Sequence, residues 1–96
     1  MDSAPALTRR ERDVLHALCG PLASAEPFSQ PASIRAIAKE LVVTDAAVKQ
    51  HLLRLYDKFG LTDRSENRRT RLANEAIARG VITLSELSRM REAAER

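Results

Sequence analysis

Five stretches of the chain repeat apolar residues at the three- and four-residue spacing of one face of an α-helix. The first opens at Thr8, which stands three residues before Glu11 as in a capping box. It continues through Val14, Leu15 and Leu18 to a Gly20-Pro21 stop. Residues 20–32 hold three of the four prolines, together with Ser, Ala and Gln, and read as a loop. That loop is long for a compact helical domain, and an insertion accounts for it better than a functional excursion. Ser33 can cap a second helix whose apolar face is Ile34, Ile37, Ala38 and Leu41. Val42-Val43 make a short break, and Thr44 can cap a third helix with Val48, Leu52, Leu55 and Phe59 on one side and Gly60 at its end. After a polar turn, a fourth helix carries Leu72, Ala73, Ala76 and Ile77 and closes at Gly80. Thr83 with Glu86 forms a second capping box, opening a fifth helix with Leu84, Leu87 and Met90 on a narrow stripe. The pattern predicts an all-α fold.

Two short helices joined by a tight break make a helix-turn-helix. That geometry requires a small residue where the helices cross, which Ala38 supplies, and apolar anchors, which Ile37, Leu41, Val43, Val48 and Leu52 supply. The expected organisation has three parts: a flexible leader over residues 1–6, a helix-turn-helix domain over 7–82, and a C-terminal helix over 83–96. Within the domain, the scaffold helix is expected at about 33–41 and the recognition helix at about 45–59.

Three segments carry a resemblance to a known family. Leu7-Thr8-Arg9-Arg10-Glu11-Arg12-Asp13-Val14-Leu15 is similar to the opening "LTxREREVL" of the LuxR/NarL-type (GerE-like) helix-turn-helix family. Ile37-Ala38 with Leu41, then Ala47-Val48-Lys49-Gln50-His51-Leu52, resembles its "IAxxLxxSxxTVKxHL" core. Lys58-Phe59-Gly60-Leu61 followed by Arg64 looks like "KLGVxxR". The chain departs from the pattern in its longer 20–32 loop, in Ala47 where Thr or Ser is usual, and in an expanded 65–71 segment with a basic Arg68-Arg69-Thr70-Arg71 cluster. These departures suit a divergent branch.

The resemblance implies a tetrahelical bundle, here with an additional C-terminal helix, serving as the output module of a transcriptional regulator. The third helix would enter the major groove of double-stranded DNA, and Glu11 would pair with Arg64. Such domains bind paired half-sites as homodimers, often through the fourth helix. The fifth helix offers a second seam, with packing onto its own domain as the plainer alternative. Segments of this kind are also similar to ones found near forkhead-associated (phosphopeptide-reading) domains. A fused or separate sensor or forkhead-associated domain is therefore a candidate partner.

With Val48, Leu52, Leu55 and Phe59 buried, the third helix presents Ala46, Lys49, Gln50, Leu53 and Arg54 outward. Lys49 can donate to guanine O6 or N7, and Gln50 can pair bidentately with adenine. Leu53 can contact a thymine methyl, and Arg54 a base or a phosphate. Thr44, Lys58, Arg68, Arg69 and Arg71 are the phosphate candidates. The arginine cluster at a helix start opposes the macrodipole, which points to a role outside folding or to plain solvation of a surface helix. All of these residues also suit an ordinary solvated surface. His51 reads as a packing and hydrogen-bonding residue.

Composition narrows the field. Hydrophobic residues make up 44% of the chain but aromatics only 3%, so Leu, Ile, Val and Ala must build the core. Lone Cys19 has no disulfide partner, no apolar run nears the roughly 18 residues of a membrane span, and a cytoplasmic setting is expected. A net charge of +3 is weak evidence for a nucleic-acid partner, but the excess is localised. Residues 35–71 carry nine cations against five acids, while residues 1–34 carry three against four and 72–96 four against four. No nucleophile with its base, carboxylate dyad or glycine-rich phosphate loop is present, and His16 with Cys19 is too few ligands for a metal. Neither an enzyme nor a cofactor is expected. Two rival readings stay open: a helix-turn-helix kept as a protein-binding scaffold, favoured by Asp45, Asp57 and Ala47, and a sigma-factor-like promoter reader. With no sensor or receiver segment, the chain is expected to be a fragment or to have a separately encoded partner.

Overall fold

The computed structural model describes residues 6–23, 30–61 and 67–94, with side chains through residue 89. Among them are five α-helices and no strand: α1 Arg9–Cys19, α2 Ile34–Leu41, α3 Asp45–Lys58, α4 Arg68–Ala78 and α5 Leu84–Ala94. The fold is an all-α helix-turn-helix bundle with an extra C-terminal helix.

Short-range chemistry sets where the helices start. Thr8 Oγ1 accepts from Glu11 N–H at 3.1 Å, while Thr8 N–H donates to Glu11 Oε1 at 2.8 Å. Thr83 and Glu86 make the same reciprocal pair at the start of α5. The hydroxyls of Ser33 and Thr44 accept from the third helical N–H of α2 and α3. By contrast, Asn67 ahead of α4 makes no side-chain cap, and arginines occupy that helix's first turn.

The ends of α2, α3 and α4 share one device. A residue at positive φ is followed by an N–H that donates five residues back: Val43 to Ala38, Leu61 to Tyr56 and Val81 to Ala76. This is the Schellman closure. Its left-handed position is Gly60 (φ +73°) after α3 and Gly80 (φ +74°) after α4, where glycine has no Cβ to clash. After α2 the same position is Val42, at φ 56° and ψ 51°.

One hydrophobic cluster joins all five helices. Val14, Leu15 and Leu18 of α1 meet Ile37 and Ala38 of α2, Val48, Leu52 and Leu55 of α3, and Leu72, Ala73 and Ala76 of α4. Leu41 and Val43 are half-buried against the cluster. Tyr56, Phe59, Leu61, Val81, Ile82 and Leu87 complete it. Ile77, expected on the core face of α4, is only half-buried.

Two expectations change here. Residues 20–23 form a 3-10 turn rather than loop, because proline's fixed φ suits a first helical turn and Leu22 and Ala23 pack on the core. Residues 24–29 of the expected loop lie outside the described residues, and Ala32 N–H ties the returning chain to the Leu18 carbonyl at 2.9 Å. Ala6, assigned to the flexible leader, accepts a hydrogen bond from Lys58 Nζ at 3.0 Å; residues 1–5 lie outside the described residues. Meanwhile α5 packs on the 3-10 turn, and Leu87 is buried within its own chain.

Candidate nucleic-acid interface

The third helix is anchored on its inner face and polar on its outer one. Val48, Leu52 and Leu55 anchor it from below, and the Thr44 cap fixes its start. At 100° per residue, the remaining positions must point away. Asp45, Ala46, Lys49, Gln50, Leu53, Arg54 and Asp57 are all exposed. The cations occupy the middle turns and the acids the two ends. Neither Lys49 nor Arg54 has a hydrogen-bond or ion-pair partner among the described residues. Leu53 is 49% exposed and is one of three large apolar side chains so placed among the described residues, with Val42 (89%) and Leu84 (51%).

Thr44 Oγ1 accepts from Ala47 N–H at 3.0 Å, which leaves its own O–H free to donate outward. Asp45 in the first turn suits the helix dipole but repels an anion there.

Lys58 is placed differently from the sequence expectation. Its ammonium lies 2.6 Å from Glu11 Oε1 and also holds the Ala6 carbonyl. Glu11 is 2% exposed, so this is a charge pair set into the protein, and it engages two of the three donors of the Lys58 ammonium. Burial pushes the Glu11 carboxyl up, but the Lys58 ammonium and the Thr8 N–H and hydroxyl outweigh it and hold the group below its ordinary range. The pair joins α1 to the C-terminal end of α3, the job the family resemblance gave to Arg64, which lies outside the described residues.

The arginine cluster is partly engaged. Arg68 stacks its guanidinium 4.4 Å from the centroid of the buried Tyr56 ring, an arrangement that leaves the in-plane N–H groups available. Burial raises the Tyr56 hydroxyl pKa against the opposing pull of Arg68 and Arg69. Arg69 Nε is buried with no partner among the described residues, and Arg71 makes an interaction of its own.

Two cations escaped the sequence reading. Arg35 and Lys39 stand four residues apart on α2, both exposed. That spacing on the scaffold helix was the available signal.

The residues set aside earlier stay outside the interface. His51 is half-buried, and its Nδ1 has no hydrogen-bond partner among the described residues. His16 Nε2 lies 3.4 Å from Glu86 Oε1, too poorly aligned for a hydrogen bond, and this contact helps to seat α5 on α1. Burial pushes the Cys19 thiol up to about 12, leaving it unreactive at neutral pH. Among the described residues there is no group of three or more His, Cys, Asp or Glu side chains fit to hold a metal ion, and no helix long and apolar enough to cross a membrane.

Fold and face together define a helix-turn-helix domain whose third helix exposes a mixed polar and cationic surface. The chain is 44% identical over 63 residues to "Probable transcriptional regulatory protein NarL" from two strains of Mycobacterium tuberculosis. The match covers 65% of this chain and 24% of each relative, so the chain spans about a quarter of the length of the curated relatives it matches. No family model matches the chain. No solved structure matches it either.

Proposed function

We propose that this chain is a NarL/LuxR-like output domain that reads double-stranded DNA with α3 in the major groove. The observation that carries the reading is the outer face of α3. Lys49, Gln50, Leu53 and Arg54 share it, exposed, on a helix whose inner face is fully anchored. Similarity to a protein named as a transcriptional regulator supports the same assignment. Lys49 reads guanine, Gln50 reads adenine, and Arg54 takes a base or an adjacent phosphate. Thr44, Arg68, Arg69 and Arg71 position the domain on phosphates, joined by Arg35 and Lys39, because the first helix of the motif crosses the backbone. Lys58 acts indirectly by holding α1 against α3.

A protein-binding scaffold is the second reading, favoured by exposed Asp45 and Asp57 at the two ends of the reading helix. Among the described residues, Leu84 is the one large exposed apolar side chain on the two candidate dimer seams. Exposed positions on α4 are Thr70, Arg71, Asn74 and Ala78, and α5 turns Leu87 into its own core. A single domain is therefore expected to bind a half-site weakly.

Repeated selection from a randomised duplex pool, followed by sequencing, tests the reading. Enrichment of one short consensus, relaxed at a single position in Lys49→Ala, supports it. A pool that stays random after selection contradicts sequence reading and favours the scaffold.

A further inference from the structure

The reading face of α3 is not uniformly polar. Ala46 and Leu53 are both exposed, seven residues apart, with Lys49 and Gln50 between them. Seven residues at 3.6 per turn return to within about 20° of the starting direction, so the two side chains lie on one line. The distance between them along the axis is about 10.5 Å. A helix in the major groove follows the groove, where each base pair advances by its rise of about 3.4 Å plus its sideways rotation, so that distance corresponds to about two to three base pairs.

Leu53 is the unusual member. It is 49% exposed, while every other exposed position of α3 from Asp45 to Lys58 is charged, an amide or alanine. About half of its surface stays in solvent, whereas Leu52 beside it is buried in the core. An apolar side chain left in water beside two unpartnered cations fits a surface that meets both charge and a methyl group. In the major groove of DNA, the group that answers to this is the C5-methyl of thymine.

Resting on the DNA-reading assignment above, we propose that Ala46 and Leu53 are paired methyl readers. The favoured half-site is then duplex DNA carrying two thymine methyls about two to three base pairs apart, with the bases read by Lys49 and Gln50 between them.

Uracil differs from thymine only by that methyl and keeps the same charge and pairing. The test therefore takes the duplex obtained by selection and replaces each thymine in turn with deoxyuridine. Affinity is measured for the whole chain and for its Leu53→Ala and Ala46→Ser variants, with helicity checked by circular dichroism. Two thymines about two to three base pairs apart are expected to lose about fourfold each on replacement, the worth of one buried methyl group. Leu53→Ala should abolish the loss at one of them and Ala46→Ser at the other, with the salt dependence unchanged. Uracil tolerated at every position, or losses at both thymines that persist undiminished in Leu53→Ala, would overturn the proposal while leaving DNA reading intact. Failure to bind any duplex at all would instead defeat the assignment on which it rests.

Discussion

Val42 holds a backbone conformation that the other two helix ends give to glycine, and replacing it should stabilise the domain. An L-residue in the left-handed region costs about 1–2 kcal/mol, and branching at Cβ puts valine toward the upper end. The side chain returns little of this, because Val42 is 89% exposed and forfeits only about 0.2 kcal/mol of burial when removed. Glycine brings its own cost of about 0.5–1 kcal/mol in lost freedom of the unfolded chain. Val42→Gly should therefore gain about 0.5–1 kcal/mol net, and Val42→Asn a similar amount, because asparagine avoids the entropy cost but keeps part of the left-handed strain. For a domain of this size that corresponds to a rise in Tm of about 2–8 °C. Thermal unfolding followed by circular dichroism reads it directly. The reciprocal change, Gly80→Val, where φ is +74°, should lose about 0.5–1 kcal/mol by the same sum. If Val42→Gly and Val42→Asn are both no more stable than the parent, the strain assigned to this turn is absent and the reasoning fails.

Two further outcomes follow from the packing. Glu11→Gln keeps the cap but removes the charge facing Lys58, and should cost about 2 kcal/mol at neutral pH, below the range for a fully buried pair because the Lys58 side chain is 33% exposed. The folded carboxyl titrates below its ordinary value of about 4.3, so its contribution is complete above that pH and disappears as pH falls through the folded value. Urea titrations of parent and variant at pH 7 and pH 3 should show the difference shrinking at the acid end; a constant difference would remove the charge from the explanation. Leu87→Ala should cost about 2 kcal/mol, the low end for a buried leucine, because α5 sits at the edge of the bundle and can settle. Its Tm should not depend on protein concentration, whereas a loss that grows on dilution would place Leu87 in a seam between two copies.

The sequence was most legible where structure is decided locally. The caps at Thr8, Ser33, Thr44 and Thr83 could be named because each bonds only three residues away. The stripe Val48, Leu52, Leu55 and Phe59 fixed the inner face of α3, and its complement gave the exposed residues of the candidate site. What depended on distant partners was not legible. The Lys58 ammonium meets Glu11 across 47 positions, and nothing near either residue announces it. Tyr56 sits one residue off the main stripe, and its burial under Arg68 depends on where α4 docks. The stripe on α5 said that a face would be covered but not by what; its cover is the 3-10 turn, in a segment whose prolines suggested loop. Val42 runs against propensity altogether, held by the closure from Val43 N–H to the Ala38 carbonyl. Arg35 and Lys39 were readable in principle, by applying to α2 the same outward-face spacing used for α3.

The decisive measurement is fluorescence anisotropy of the whole chain titrated into a randomised duplex pool at several salt concentrations, beside a Lys49→Ala/Arg54→Ala double variant. The expected result is binding by the parent that weakens with salt, log affinity falling by about 0.9 per decade of salt for each phosphate neutralised, and that is lost in the double variant. Absence of parent binding even at low salt, or binding that the double variant retains in full, would contradict α3 as the DNA reader.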